Sequence, residues 1–103
     1  LTRGEAFTAL VASNDDMAIG AIRQLHESGV ATPGAVSVIG FDDVAIAPYI
    51  VPSLSSVRIP VTEMIQETIS RLIFMLDGGE IKLQQTFSGE LILRDSVIDG
   101  PHR

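Results

Sequence analysis

Apolar residues fall along this chain in two rhythms, short apolar runs and longer repeats at three- and four-residue spacing, and the two alternate. Residues 6–12 are a short, largely apolar run bounded by polar residues, which predicts a strand buried on both faces. Met17, Ala18, Ala21, Ile22 and Leu25 then recur at helical spacing and predict one apolar stripe. Ser13 or Asn14 is placed to cap the start of that helix, and Gly29 to supply its left-handed stop. Thr32-Pro33-Gly34 reads as a turn, and residues 36–41 as a second buried strand. Strand, helix and strand in that order make a βαβ unit, with two parallel strands and a right-handed crossover.

The rhythm breaks at residues 44–52, where Pro48 and Pro52 exclude a long regular element and a short helical turn with a loop is expected. This apolar stretch has two readings: part of it lies on the surface, or it folds back on the core. Residues 54–59 predict a third strand ending at Pro60. Over residues 61–76, Val61, Met64, Ile65, Thr68, Ile69, Leu72, Ile73 and Leu76 form a wide apolar stripe opposite Glu63, Gln66, Glu67 and Arg71. Glu67 and Arg71 are an i,i+4 pair contributing a few tenths of a kcal/mol, roughly. Asp77-Gly78-Gly79 ends this helix, residues 86–93 predict a last strand, and the polar residues 95–103 are expected to fray. The fold class is therefore α/β, built on a parallel sheet. The stripe on the second helix is wider than the rest of the chain can cover, so it is expected to pack on other sequence or in an oligomer.

The 103 residues suffice for one small domain, and 46% hydrophobic against 19% charged residues exclude disorder. No apolar stretch is long enough for a membrane span. The start, Leu1-Thr2-Arg3-Gly4-Glu5, is polar and unlike a signal peptide, and it lacks an initiator Met, so the chain is expected to be a piece of a longer one. Net charge is −6, and the seven Lys and Arg are scattered, so this segment is not expected to contact nucleic acid. Without cysteine there is no disulfide, thiolate chemistry or zinc-thiolate site, which fits a cytoplasmic protein.

The candidate chemistry sits in two acidic turns, Ser13-Asn14-Asp15-Asp16 and Gly40-Phe41-Asp42-Asp43, each placed where an apolar strand stops. Parallel strands end at one edge, and open α/β sheets bind ligands at that edge. Asn14 offers an acceptor and two donors, which suits hydroxyls that both give and take, and Asp42 offers two acceptor oxygens for two vicinal hydroxyls. Each also has a structural reading, Asn14 as a plain N-cap and Asp42 as a cap on the following turn. Asp15 and Asp16 fall where negative charge favours the helix dipole. A Mg²⁺ site on Asp15, Asp16, Asp42 and Asp43 lacks a phosphate-cradling glycine loop. His26 and His102 have no nucleophile arrangement around them, and the glycines form no dinucleotide fingerprint. No enzyme activity, metal or cofactor is therefore expected.

The motifs Ala12-Ser13-Asn14-Asp15-Asp16-Met17-Ala18-Ile19-Gly20-Ala21, Val36-Ser37-Val38-Ile39-Gly40-Phe41-Asp42-Asp43 and Pro52-Ser53-Leu54-Ser55-Ser56-Val57-Arg58 resemble the C-terminal part of LacI-type (lactose/galactose repressor) transcription regulators, over nearly the whole chain. The resemblance implies a two-lobed effector domain like that of periplasmic sugar-binding proteins, which closes on a small sugar or β-glucoside. It implies Asn14 and Asp42 as sugar contacts. It implies that residues 1–58 belong to the C-terminal lobe, that residues 59–85 cross into the N-terminal lobe, and that residues 86–103 return. Ile59 stands where many relatives carry a sugar-contacting Gln, so the contacts there differ and an apolar aglycone or flatter sugar face could suit it. The resemblance also implies a cytoplasmic homodimer joined through Ile19, Ile22, Arg23, Ile46, Tyr49 and Ile50. Operator DNA would be held by an N-terminal helix-turn-helix domain outside this chain, and the chain alone is expected to bind sugar poorly or not at all. Two other readings stay open: a periplasmic sugar-binding protein for transport, and a phosphoryl-transfer or metal-dependent enzyme built on Asp42 and Asp43.

Overall fold

Asp15, Ala18, Ile22 and Leu25 lie three or four residues apart and are all buried, so one stripe of the first helix turns inward from its first residue. The computed structural model describes residues 6–81 and 84–100. Among these, the order is β1 (Ala9–Val11), α1 (Asp15–Glu27), β2 (Ser37–Ile39), a single 3₁₀ turn (Ala47–Tyr49), β3 (Ser56–Arg58), α2 (Val61–Leu76) and β4 (Glu90–Ile92). β1 and β2 are parallel, with Ala9 opposite Ser37 and Val11 opposite Ile39, and α1 connects them. The order and the parallel pairing are those expected of a βαβ unit, but β1 is not buried on both faces: Ala9 is exposed and Val11 is 81% exposed. A parallel bridge from Ile39 to Ser55 carries the ladder on toward β3, which pairs with β4. All of these strands are shorter than the apolar runs that predict them.

The chain falls into two units, one holding the residues up to Arg58 and those from Leu91 onward, the other holding Ile59–Glu90. The core of the first is Ala12, Ala18, Ile22, Leu25, Val36, Val38, Ala47 and Leu54, with Leu10, Ile19, Val30, Val44 and Ile50 packed against it. Fully burying a side chain such as Leu25, Val38 or Leu54 contributes about 1.5–3 kcal/mol each. Both readings of the proline-bounded loop apply: Ala47 is completely buried, while Ile46 and Tyr49 are exposed. Met17 departs from the expected α1 stripe and is 57% exposed, since it lies one position, or 100°, around the helix from Ala18.

Residues 95–98 do not fray. Ser96 is completely buried; its N–H donates to the Ser53 carbonyl, its carbonyl accepts from Val38 N–H, and its hydroxyl donates to the Val38 carbonyl and accepts from Ser55 N–H. Ile98 N–H donates to the Ser37 hydroxyl at 3.1 Å. The returning segment is thus stitched to β2 and to the approach to β3 by serines. The polar start at residues 1–5 and His102 lie outside the described residues.

The second unit is α2 and the segment after it. α2 spans the predicted residues and carries the expected Glu67–Arg71 pair at 3.0 Å, while Arg71 also donates to Gln85. None of its residues is buried: Val61, Ile65, Ile69, Leu72 and Ile73 are all about half exposed. Gly78, with φ +87°, supplies the left-handed turn that ends it.

Candidate functional site

Two backbone bonds bring the acidic turns to one edge of the parallel pair. Ala12 N–H donates to the Ile39 carbonyl at 2.9 Å, and Asp15 N–H donates to the Phe41 carbonyl at 3.0 Å. Asn14 and Asp42 are the immediate chain neighbours of that second bond, and so they leave β1 and β2 side by side.

Asn14 is the N-cap of α1: its Oδ1 accepts Met17 N–H at 2.8 Å. The cap engages only the carbonyl oxygen, and the amide nitrogen has no hydrogen-bond partner among the described residues. Asp42 is exposed, and its backbone N–H donates to the Val57 carbonyl at 2.9 Å. Its carboxylate likewise has no partner among the described residues. Asp42 and Asp43 both have positive φ, 112° and 55°, where side chains other than glycine are rarely found. Such backbone costs on the order of 1–3 kcal/mol per residue and persists only where neighbouring groups hold it.

The holding groups are visible. The Asp15 carboxylate, completely buried, accepts Val44 N–H at 2.8 Å and the Ser56 hydroxyl at 2.7 Å. The Ser56 hydroxyl in turn accepts Asp43 N–H at 3.0 Å. Gly40 is required by the same arrangement: a Cβ there would collide with the Asp15 carboxylate, 3.1 Å from Asp15 Cα and 3.2 Å from Ala18 Cβ. Asp43 closes the turn from the other side. Its Oδ1 accepts Arg94 Nη1 at 2.7 Å, and its Oδ2 accepts Arg58 Nε at 2.8 Å. The hydrogen bond from Arg94 holds the Asp43 carboxyl below its ordinary range. Burial pushes the other way, and Arg58 adds to the lowering.

Asp15 is thus more than a helix-dipole residue. The signal that finds it is its place one turn before Ala18 on the buried stripe of α1. The arginines on Asp43 come from 15 and 51 residues away and carry no local signal. With the Asp15 and Asp43 carboxylates committed to these donors, the four-aspartate Mg²⁺ arrangement does not form. Among the described residues no group of three or more His, Asp or Glu could hold a metal ion.

On another face, Ile19, Ile22, Arg23 and Ile50 line a groove of about 540 Å³ together with His26 and Val51. Ile22 contributes mostly inward, at 7% exposure, and Arg23 is paired with Glu27 at 2.8 Å. Ile46 and Tyr49 do not line the groove and stand exposed.

Residues 2–97 match the family model of the periplasmic binding protein-like domain. The chain belongs to that family. Over 98 residues it is 74% identical to the HTH-type transcriptional regulator AscG of Escherichia coli (strain K12), covering 95% of this chain and 29% of that protein. It is 38% identical to the HTH-type transcriptional regulator GalR of the same organism, covering 94% of this chain and 29% of that one. Among solved structures it is similar to a sugar-binding LacI-family transcriptional regulator from Escherichia coli complexed with phosphate, with TM-score 0.85, 73% identity, and coverage of 94% of this chain and 35% of that one. It is also similar to the lac repressor dimer bound to operator and the anti-inducer ONPF, with TM-score 0.89, 28% identity, and coverage of 95% and 34%. The relatives are LacI- and GalR-type transcriptional regulators, and the chain corresponds to part of their effector-binding region, as the motifs imply. It spans about 29% of the length of each of these two regulators.

Proposed function

We propose that this chain is the sugar-contacting and dimerising part of a cytoplasmic LacI-type repressor, with Asn14 and Asp42 as its contacts to a small sugar or β-glucoside. The observation that carries this reading is the Asp15–Phe41 backbone bond, which ties together the turns bearing the two side chains at the carboxyl edge of β1 and β2. Asp42 has acceptor oxygens for two vicinal hydroxyls, and the Asn14 amide nitrogen remains as a donor beside its capping oxygen. The backbone at Asp42 is strained and held by neighbours, which is the usual condition of a ligand-gripping turn.

The mechanism is a population shift. A sugar that grips this edge and a second lobe favours one lobe arrangement over another, and the two differ in operator affinity. No bond is made or broken, so the protein is not an enzyme. The second half of the sugar site and a helix-turn-helix domain belong to the longer regulator, of which 1–58 would form the C-terminal lobe and 59–85 part of the N-terminal lobe. The groove at Ile19, Ile22, Arg23 and Ile50, with Ile46 and Tyr49 nearby in sequence, would meet a second copy of the chain. The relatives are regulators of transcription, which favours this reading over a transport protein.

The test is Asp42→Ala in the full-length regulator, with salicin as the β-glucoside probe. The substitution should abolish the effect of salicin on operator binding and leave operator binding itself intact. A retained salicin response in the variant would refute the assignment of Asp42.

A further inference from the structure

The chain leaves its larger unit after Arg58 and re-enters it at Leu91. The arginine at the first of these points and the arginine three residues past the second both end on one carboxylate, that of Asp43. Arg94 does more: its Nη1 also donates to the Leu54 carbonyl at 2.7 Å, and its backbone N–H donates to the Ser55 hydroxyl at 2.7 Å. The Asp43 side chain is 6% exposed and the Arg94 side chain 15%, so this pair is largely removed from water, while Arg58 is about half exposed. Asp43 is also the second of the two consecutive residues with positive φ, and the residue before it is Asp42.

From this arrangement, and resting on the proposed role of Asp42, we infer that Asp43 is a positioning residue. Its two arginine pairs clamp the strained Asp42–Asp43 turn to the outgoing and returning chain segments, and so fix the direction in which the Asp42 carboxylate is presented to a sugar. A turn with this backbone relaxes unless its neighbours hold it. The Asp43 backbone N–H is held by Ser56 and that of Val44 by Asp15. The side chain of Asp43 supplies the only charge-assisted bonds from the turn to β3 and to the segment after β4 among the described residues. Removing its charge leaves the backbone bonds of the turn to Val57 and Ser56 in place but loosens its side-chain ties to Arg58 and Arg94.

The test uses the full-length regulator and compares wild type with Asp43→Asn and Asp43→Glu, the latter keeping the charge. Amide hydrogen exchange is followed without sugar, and salicin binding is followed by calorimetry. Asp43→Asn should speed exchange in residues 41–46 by about tenfold or more, as expected for loss of a largely buried charge pair, with exchange in α1 and β2 unchanged. It should also weaken salicin binding by roughly tenfold at a temperature where wild type and variant are both fully folded, a readout that a purely structural residue would not move. Asp43→Glu should recover part of both. Wild-type exchange in residues 41–46 of the Asn variant would overturn the clamp. Faster exchange with unchanged salicin affinity would overturn the positioning role. If wild type itself fails to bind salicin, the sugar reading fails for that ligand, and the exchange measurement still decides whether Asp43 holds the turn.

Discussion

The Ser56 hydroxyl donates to the Asp15 carboxylate at 2.7 Å across 41 residues of sequence, and both side chains are completely buried. The bond joins the first residue of α1 to the first residue of β3. The same hydroxyl accepts the Asp43 N–H, so one serine ties a helix start, a strand start and the strained turn together.

Ser56→Ala leaves the buried Asp15 carboxylate with one donor fewer and the Asp43 N–H without its acceptor. Leaving a buried polar group unsatisfied costs about 1–3 kcal/mol, and more where the group is charged. The urea midpoint of the chain should therefore fall clearly. Ser53→Ala, at a half-buried hydroxyl that accepts only Asp95 N–H at 3.1 Å, should lower it less. Equal midpoints for the two variants would show that the Asp15–Ser56 bond carries no special share of stability.

Asn14 can be divided into its two roles by substitution. Serine caps helices about as well as asparagine, whereas alanine costs roughly 1 kcal/mol at such a position. Asn14→Ser should leave thermal stability nearly unchanged, because a hydroxyl can still accept Met17 N–H. It removes the amide nitrogen, however, and should weaken salicin binding by the full-length regulator. Salicin affinity equal to wild type in the serine variant would leave Asn14 as a cap and nothing more.

Acid should release the Asp43 clamp. The Asp43 carboxyl is held below its ordinary value by its hydrogen bond from Arg94, against the opposing effect of burial, with help from Arg58. A folded-state value below the unfolded one means that the contribution is fully present above the unfolded value and is lost as pH falls through the folded one. The stability difference between wild type and Asp43→Asn should therefore be constant near neutrality and shrink on the acid side of the ordinary carboxylate range. Denaturant melts at several pH values measure it. A difference that grows as the solution is acidified would reverse the sign and refute the pairing.

What could be read from the sequence follows from how local each cause is. The limits of α2 come from the spacing of Val61, Ile65, Ile69, Leu72 and Leu76 and the glycines after Asp77, all within one segment, and the structure keeps them. The edge where Asn14 and Asp42 stand was legible because parallel strands in a βαβ unit must end together. The serine stitching was not. Ser55, Ser56 and Ser96 are completely buried, yet a serine carries no sequence mark of burial, since its partner (here Arg94, Asp15 or Val38) is supplied by the fold. The same holds for Asp43, whose arginines are distant in sequence. For this reason residues 95–98, polar and tail-like by composition, are expected to fray but are held in place.

The last prediction concerns the exposed face of α2. Leu72 is 54% exposed, and Ile65, Ile69 and Ile73 beside it on the stripe are within a few per cent of the same value. A helix with this much apolar surface in water is a surface made to be covered. In the chain alone, Leu72→Glu should change stability by no more than about 0.5 kcal/mol, as for an ordinary surface substitution. If the longer regulator covers this face, a glutamate there buries an unpaired charge, and the same substitution should cost several kcal/mol, roughly, appearing as insoluble or unfolded protein. The measurement is the melting temperature of the chain alone and of the full-length protein side by side, with and without the substitution. A full-length Leu72→Glu protein that is soluble and melts with wild type would mean that the stripe stays uncovered, and that α2 is not part of a lobe core.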